Sequence, residues 1–507
     1  MKRLCVIVFS ILLPAACFAR RAMDFGELRS LMDAGLTTVE EDLFIEGLVL
    51  TDTDDKNIEQ GLQFSYNQMR STPNLRTVYL ESFDGRFGFK LGFEGDRDGR
   101  FPRFTRLRLN LKGARLSVVS GAYCIDALTA ESAVAKEQGT AADRPLKLRT
   151  PASLSDEDLY TYVSLTDMEF VFKDGSFSNI AEVYGKSNPT NSGKLQVNGS
   201  MDGWATLLCD SSGEQLYMLV NSRTPWRRLG GGVPSGSGIV SGVLVRTALP
   251  RYGDCLGRWQ LRPLESSDFD FTQGSPAAFG TIAEWNWNDN RGKVKTEAGA
   301  MPADIGTGLL LPELECTLQR GPEPNASKVD GSTKGYVENG ALAIKAPSCN
   351  WWDWDSGQSR GLLLQFSTEG VADSSVFLAF SFAGGNRNAA TSMGFPVFWR
   401  VEYSTDGVHY TMADEEFELH SLPWYWENDI AGVKYPTSKR AGMGYTEHML
   451  RLKGVCGQRN VYVRICPSRK NIATLALDEY WRMAARPGNA TECYVNFGTI
   501  TVRYTEK

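Results

Sequence analysis

Short apolar runs with a period of two, separated by turn residues, recur along most of this sequence. In the stretch 86–93 (RFGFKLGF), for example, aromatic and aliphatic residues occupy every second position. This period is typical of a β-strand with one buried face. A helical pattern is predicted at residues 25–34, where Asp24 and Glu27 form a capping pattern and Gly35 marks the end. The chain is therefore predicted to be mainly β.

Length and turn-rich boundaries divide the chain into three predicted units. At about 150 residues per core, 507 residues correspond to roughly three units. We predict a first unit at 20–135, a second at 156–271 and a third at 277–507. The polar, alanine-rich segment 131–155 is interpreted as a linker between the first two units.

The strand patterns suggest a different architecture for the third unit. The first two units each show about five strands with one long excursion, a plan that favours small Greek-key barrels of the OB-like type. The third unit has many short strands and an Asp406–Gly407 hairpin turn. We therefore predict two OB-like barrels followed by a jelly-roll β-sandwich.

The first 19 residues have the pattern of a secretory signal peptide. Lys2 and Arg3 precede an apolar run, residues 4–13, and a small-residue tail ends at Ala19. We expect cleavage after Ala19, with a lipid anchor at Cys17 as the alternative. No later segment approaches the 18 apolar residues of a membrane span. The protein is thus expected to be exported to the periplasm, the cell surface or the medium.

Charge and motif content argue against several classes of function. The net charge is −6, whereas non-specific nucleic-acid binding needs clustered cations, so no nucleic-acid partner is predicted. The three histidines show no metal-binding spacing, and neither a nucleophile-elbow motif nor a C-x-x-C pair occurs. We assign no catalytic residue. The eight cysteines left after cleavage are interpreted as mostly core residues, with one or two disulfides.

Tryptophan is distributed unevenly, with nine of the 12 residues in the third unit. Dense clusters occur at 350–354 (NWWDW) and 423–426 (PWYW). Aromatic faces can stack on sugar rings while neighbouring polar side chains bind hydroxyls. The predicted ligand-binding residues are Trp351, Trp352, Asp353, Trp354, Trp424 and Trp426. The alternative is that these tryptophans fill the sandwich core.

Carboxylates leave two further alternatives open. Asp353 and Asp355 could bind a structural Ca²⁺ together with backbone carbonyls, and no other cofactor is predicted. A glycoside hydrolase would need two carboxyls held about 5 to 9 Å apart, which sequence alone does not show.

The order of motifs resembles a family of exported, uncharacterised proteins of the Bacteroidetes type. The matching segments are FGELRSLMDAGL, LFIEGLVLTD, TVYLESFDGRFGFKLGF, VPSGSGIVSGVLVR and GRWQLRPLESSDFDF, and in the third unit LLLQFSTEG, FWRVEYSTDGVHY and VNFGTITV. The resemblance implies paired OB-like barrels, a C-terminal jelly-roll module and a place at the cell surface or in the periplasm. It brings no catalytic residues. The chain departs from the pattern at 57–76, where a connection is longer.

These patterns favour an exported, non-enzymatic binding or adhesion protein whose partner is a carbohydrate or a surface protein. The alternatives are a hydrolase of surface glycans and a structural scaffold, and a nucleic-acid-binding OB protein is a weaker one. A hydrolase would show a buried carboxylate pair in the third unit, whereas a glycan-binding module would show exposed tryptophan faces.

Overall fold

The computed structural model confirms that the chain is mainly β. The structure describes residues 20–51, 57–59, 61–65, 68–72, 74–96, 98–172, 204–221, 224, 226, 233–247, 256–272, 279–286, 299–321, 341–347, 350–353, 355–384, 398–414, 417–418, 446–468 and 494–506. In this part of the chain, no helix is long and apolar enough to cross a membrane.

The predicted helix is confirmed as α1 (Phe25–Asp33). The side chain of Asp24 accepts a hydrogen bond from the backbone N–H of Glu27 at 2.7 Å, which satisfies one of the free donors at the helix start. Gly35 follows the last turn with a φ of +96°, a conformation that glycine adopts without strain. The buried side of the helix packs into the first core.

The first sheet has eight strands rather than the predicted five. The strands of this region are β1 (Arg21–Ala22), β2 (Leu43–Val49), β3 (Gly61–Ser65), β4 (Gln68–Thr72), β5 (Thr77–Glu81), β6 (Gly88–Phe93), β7 (Thr105–Asn110), β8 (Arg115–Val119), β9 (Ala122–Leu128) and β10 (Ala133–Gln138). Their order is β10-β7-β2-β5-β6-β9-β8, with β1 beside β2. The remaining two, β3 and β4, form a separate hairpin within the long connection at 57–76.

The second sheet has seven strands. They are β11 (Leu148–Arg149), β12 (Tyr162–Phe170), β13 (Trp204–Cys209), β14 (Gln215–Val220), β15 (Gly238–Val245), β16 (Gln260–Arg262) and β17 (Phe269–Asp270). Their order is β11-β12-β13-β14-β16-β15-β17, and a further pairing joins β12 to β15. Apolar side chains from most of these strands form a second core.

The segment 131–155, interpreted from sequence as a linker, is part of both sheets. It supplies β10, which pairs with β7, and β11, which pairs with β12 in parallel. Its polar composition reflects exposure, because β10 lies at the edge of its sheet and nearly all of its residues face solvent.

Two sheets that share one core follow in the third region. The strands are β18 (Phe279–Trp285), β19 (Met301–Pro302), β20 (Ile305–Gly306), β21 (Gly308–Pro312), β22 (Thr317–Gly321), β23 (Ala341–Lys345), β24 (Trp352–Asp353), β25 (Gln358–Ser359), β26 (Leu362–Phe366), β27 (Val376–Gly384), β28 (Phe398–Ser404), β29 (Thr411–Met412), β30 (Phe417–Glu418), β31 (Thr446–Leu452), β32 (Val461–Pro467) and β33 (Tyr494–Thr505). The third sheet contains β18, β20, β22, β23, β27, β31 and β33, and the fourth contains β19, β21, β26, β28, β29, β30 and β32. Side chains from both sheets bury one another in a sandwich-like arrangement.

The first and second sheets meet through a close backbone contact, here called the first joint. Gly88 of β6 lies against Tyr160, and a Cβ at position 88 would fall 2.0 Å from the Tyr160 carbonyl oxygen. Asn57 also crosses this contact, because its amide donates to the carbonyls of Leu219 and Pro263 at 2.8 and 2.7 Å. The long connection at 57–76 thus begins by attaching the first region to the second.

The second and third sheets meet through a small apolar cluster, here called the second joint. Its buried members are Val171, Leu207, Cys209, Phe377, Ala379 and Met449. The backbone N–H of Leu207 donates to the Glu447 carboxylate at 2.7 Å, which adds a polar contact across the joint. A buried ion pair between Arg503 and Glu169 lies beside the cluster.

Candidate functional site

The structure places Trp351 and Trp352 in the core of the sandwich. Trp351 is fully buried, and its ring meets that of Trp399 edge to face with 5.4 Å between centroids. Trp352 is 6% exposed and belongs to the same core cluster. In this arrangement neither ring offers a face to a ligand, so both fit the core-filling alternative. Trp354, Trp424 and Trp426 lie outside the described residues.

Asp353, the remaining predicted ligand-binding residue, lies at a polar corner of the sandwich. Its carboxylate accepts a hydrogen bond from Arg360 at 2.9 Å and another from the hydroxyl of Ser356. These contacts lower the pKa of Asp353, the Ser356 hydroxyl contributing most. Within the described ranges, no group of three or more His, Cys, Asp or Glu residues is placed to hold a metal ion. The calcium site at Asp353 and Asp355 stays a prediction.

Arg360 organises this corner. It is 7% exposed and donates to the carbonyls of Leu314 at 2.9 Å and Asn350 at 3.2 Å, and also to that of Trp352. A buried guanidinium thus supplies the hydrogen-bond donors that backbone carbonyls in irregular segments would otherwise lack. The corner is therefore a fixed structure, and it borders the outer face of the fourth sheet.

Strand register defines this outer face. The residues of one row are Leu311, Leu363, Arg464, Glu402 and Met412, and those of the next are Leu309, Gln365, Tyr462 and Ser404. In both rows the members lie opposite one another on neighbouring strands, so their side chains share a face. The face is apolar towards β21 and polar towards β28. We call its polar part, together with Tyr410, the Arg464 surface.

Arg464 is held by four neighbours at the centre of this surface. Its Nε donates to both oxygens of Glu313 at 2.9 and 3.0 Å, one terminal nitrogen donates to Glu402 at 3.1 Å, and the other donates to Gln358 at 3.2 Å. The guanidinium also lies 5.3 Å from the centre of the Tyr410 ring. A planar donor with this many partners has little freedom to rotate.

Burial and neighbouring charges have opposite effects on the pKa values of Arg464 and Glu313. Burial is the largest effect on the pKa of Arg464 and lowers it, but Glu313, Cys466 and Glu402 together outweigh burial and raise that pKa. Burial raises the pKa of Glu313, against the pull of Arg464. Arg400 approaches the second oxygen of Glu402 at 3.2 Å, so each carboxylate has at least one cation beside it. The result is a rigid, charge-balanced surface with tyrosines beside it.

Sequence reasoning missed the Arg464 surface, although part of its signal is visible. Arg400 and Glu402 alternate with apolar residues in FWRVEY, as Tyr462 and Arg464 do in VYVRIC. Such alternation predicts that these polar side chains share the outer face of each strand. What it does not give is the pairing of the two strands, which brings Arg464 opposite Glu402.

Comparisons with known proteins yield structural neighbours alone. No family model and no curated protein matches the chain. One solved structure is the K1 cleaved adhesin domain of Lys-gingipain from Porphyromonas gingivalis, with 11% identity over 45% of this chain and 99% of that domain, and a TM-score of 0.23. Another is the carbohydrate-binding module TmCBM27, described for specific mannan recognition, with 9% identity, coverage of 45% and 99%, and a TM-score of 0.21.

A third neighbour is the α-L-arabinofuranosidase MgGH51, with 10% identity over 44% of this chain and 27% of the enzyme, and a TM-score of 0.21. The neighbours are thus adhesin, carbohydrate-binding and glycosidase structures. At these TM-scores the similarity carries no argument about the function of this chain.

Proposed function

We propose that this chain is an exported binding or adhesion protein that binds carbohydrate through the Arg464 surface of its third unit. The observation that carries the proposal is the pair of half-buried tyrosines, Tyr410 and Tyr462, beside the buried Arg464 guanidinium and its ion pairs. Polar groups that are already oriented lose little entropy when a ligand binds, and aromatic rings offer faces for sugar rings.

Charge balance favours an uncharged glycan. Arg400 and Arg464 are matched by Glu313 and Glu402, so the surface has no excess charge to attract an anionic ligand. Neutral sugars exchange hydrogen bonds with such paired groups through their hydroxyls. The adjoining leucines of the face, Leu309 and Leu311, would cover the apolar side of the same ligand.

The carboxylates of this surface fit binding better than hydrolysis. A glycosidase requires one protonated carboxyl as the acid and one ionised carboxyl as the base or nucleophile. Here both oxygens of Glu313 accept hydrogen bonds from the Arg464 Nε, and Glu402 accepts one from a terminal nitrogen of Arg464 and lies 3.2 Å from Arg400. Both carboxyls are therefore engaged by cations of the surface itself, whereas a general acid needs a carboxyl that is free to reach the glycosidic oxygen.

Loss of the tyrosine faces is expected to weaken this binding. A glycan array run with the chain 20–507 should show binding. The double variant Tyr410→Ala, Tyr462→Ala should weaken this binding by about tenfold or more, because the glycan loses a stacking contact at each position. Val408→Ala is the matched control, because Val408 lies on the same hairpin and is 74% exposed. Its binding should equal that of the unmodified chain.

Two results would contradict the proposal. The first is the absence of binding to every glycan by the unmodified chain, which would favour a scaffold or a protein partner. The second is binding that survives in the folded double tyrosine variant, which would move the glycan site elsewhere. Circular dichroism and thermal unfolding establish that each variant is folded before it is compared.

A further inference from the structure

The first joint contains a buried carboxylate with an incomplete set of partners. Glu81 ends β5 and is 1% exposed. Its Oε1 accepts a hydrogen bond from the backbone N–H of Tyr162, the first residue of β12, at 3.0 Å. Its Oε2 is buried and has no hydrogen-bond partner among the described residues. A carboxylate in such a place is costly to keep ionised.

The charged groups around Glu81 come from two segments. Arg144 and Lys147 approach from the segment that joins the two sheets, and Asp84 approaches from the β5–β6 turn. On the strands that pair with β5, the residues opposite Glu81 are Leu48 and Gly88, which carry no charge. Two cations and one anion therefore face this carboxyl group.

Lys147 is engaged by other groups, whereas Arg144 keeps one buried nitrogen, Nη1, without a hydrogen-bond partner among the described residues. Lys147 contacts Asp158 at 2.7 Å and donates to the Gly85 carbonyl at 2.9 Å and to the Thr161 hydroxyl at 3.0 Å. Arg144 lies over the Tyr162 ring, 3.2 Å from its centre. Neither is positioned to bind Oε2 directly. Glu81 thus depends on a single backbone donor from the second sheet.

We propose that the first joint is a pH-sensitive contact governed by Glu81, which holds the first two sheets together more firmly when its carboxyl group is protonated. The contact has an open and a closed state, and protonation of Glu81 favours the closed one. In the open state water solvates the carboxylate, and in the closed state Tyr160, Tyr162 and Gly88 exclude it.

The direction of the effect follows from the pKa. Burial raises the pKa of Glu81 from its ordinary value of 4.5 to about 7, against the opposing Tyr162 N–H, Lys147 and Arg144. Between these two values the open state loses its proton while the closed state keeps it. Opening is therefore promoted as the pH rises from about 4.5 to 7, and the effect is constant above 7.

Hydrogen exchange of the Tyr162 amide measures this opening. With the intrinsic pH dependence of exchange removed, we expect the open fraction to rise by about 70-fold between pH 5 and pH 8 in the chain 20–507. His409 lies on an exposed hairpin of the third unit and His448 is buried beside Phe380 and Phe382, so neither titrates at this contact.

Glu81→Gln removes the titrating group but keeps the carbonyl that accepts from Tyr162. We expect its open fraction to change by less than about threefold over the same range. Asp84→Asn provides a second variant, because the Asp84 charge raises the pKa of Glu81. Its removal should move the transition to lower pH without abolishing it.

Three results would overturn the proposal. They are a flat pH profile in the unmodified chain, an unchanged slope in Glu81→Gln, and a transition in Asp84→Asn that moves to higher pH. If Glu81→Gln does not fold, the Asp84→Asn shift still decides the matter. This proposal is independent of carbohydrate binding, because the Arg464 surface and the first joint share no residue.

Discussion

Replacement of Arg503 by Met is expected to destabilise the second joint by about 3–5 kcal/mol, because it removes the cation beside the buried Glu169 carboxylate. The two residues are 5% and 2% exposed, and their charged atoms lie 3.3 Å apart. The guanidinium also lies 4.3 Å from the centre of the Phe279 ring and close to the sulfur atoms of Cys209 and Met449. Water cannot easily take the place of the Arg503 guanidinium in this buried joint.

A double variant separates the charge from the loss of packing. Arg503→Met with Glu169→Gln removes both charges, so it should recover most of the stability lost in the single variant. Arg451→Met is the matched control, since Arg451 is exposed and donates to the Ser212 carbonyl at 3.1 Å across the same joint. It should cost about 1 kcal/mol or less.

Urea unfolding followed by tryptophan fluorescence measures these differences. If Arg503→Met costs no more than Arg451→Met, the buried ion pair does not stabilise the joint. If the double variant is as unstable as the single one, the loss comes from packing around Phe279 rather than from the Glu169 charge. Either outcome contradicts the argument.

Local periodicity was enough to predict the class of fold and many of its elements. The alternation in GFKLGF gave β6, and the capping pattern at Asp24 gave α1. These signals depend only on residues that are close in sequence, so they can be read without knowing the fold. The parallel pairing of β6 with β9, by contrast, joins strands about 30 residues apart, and no local pattern specifies it.

The candidate site was predicted less well for the same reason. Dense tryptophans have the same sequence pattern whether they fill a core or form a binding surface, and burial of Trp351 against Trp399 depends on a distant strand. The charges of Arg464 and Glu313 meet across 151 positions in the chain. Side-chain type indicated that the third unit carries aromatic and charged residues, and tertiary pairing decided which of them share a surface.

His448 is expected to make the third unit sensitive to acid. The side chain is buried between the rings of Phe380 and Phe382, whose centres lie 5.6 and 5.3 Å from its own. Thr446 donates its hydroxyl to the Phe382 carbonyl, so the His448 Nε2, 3.2 Å from that hydroxyl oxygen, is the donor of the pair. Burial lowers the pKa of His448 to about 3 from 6.5.

The sign of the pH dependence follows from these two values. Between pH 6.5 and pH 3 the unfolded chain binds a proton at this position and the folded chain does not, so stability falls as the pH falls. The shift corresponds to a loss of about 3–5 kcal/mol across the window. This is opposite to the effect of Glu81, whose burial destabilises the first joint as the pH rises.

His448→Gln should reduce the acid sensitivity of the third unit, because the amide can still donate to Thr446 but does not take up a proton. The measurement is the free energy of unfolding of the chain 20–507 at several pH values between 3 and 7, followed by exchange of amides in β27 and β31. His409→Gln is the control, since its side chain is 87% exposed and its contact with Asp406 lies at the surface, so it should change the profile far less than His448→Gln does. An identical acid slope in the unmodified chain and in His448→Gln would show that other groups cause the acid unfolding. If the pH dependence disappears in His409→Gln instead, His409 rather than His448 causes the acid sensitivity.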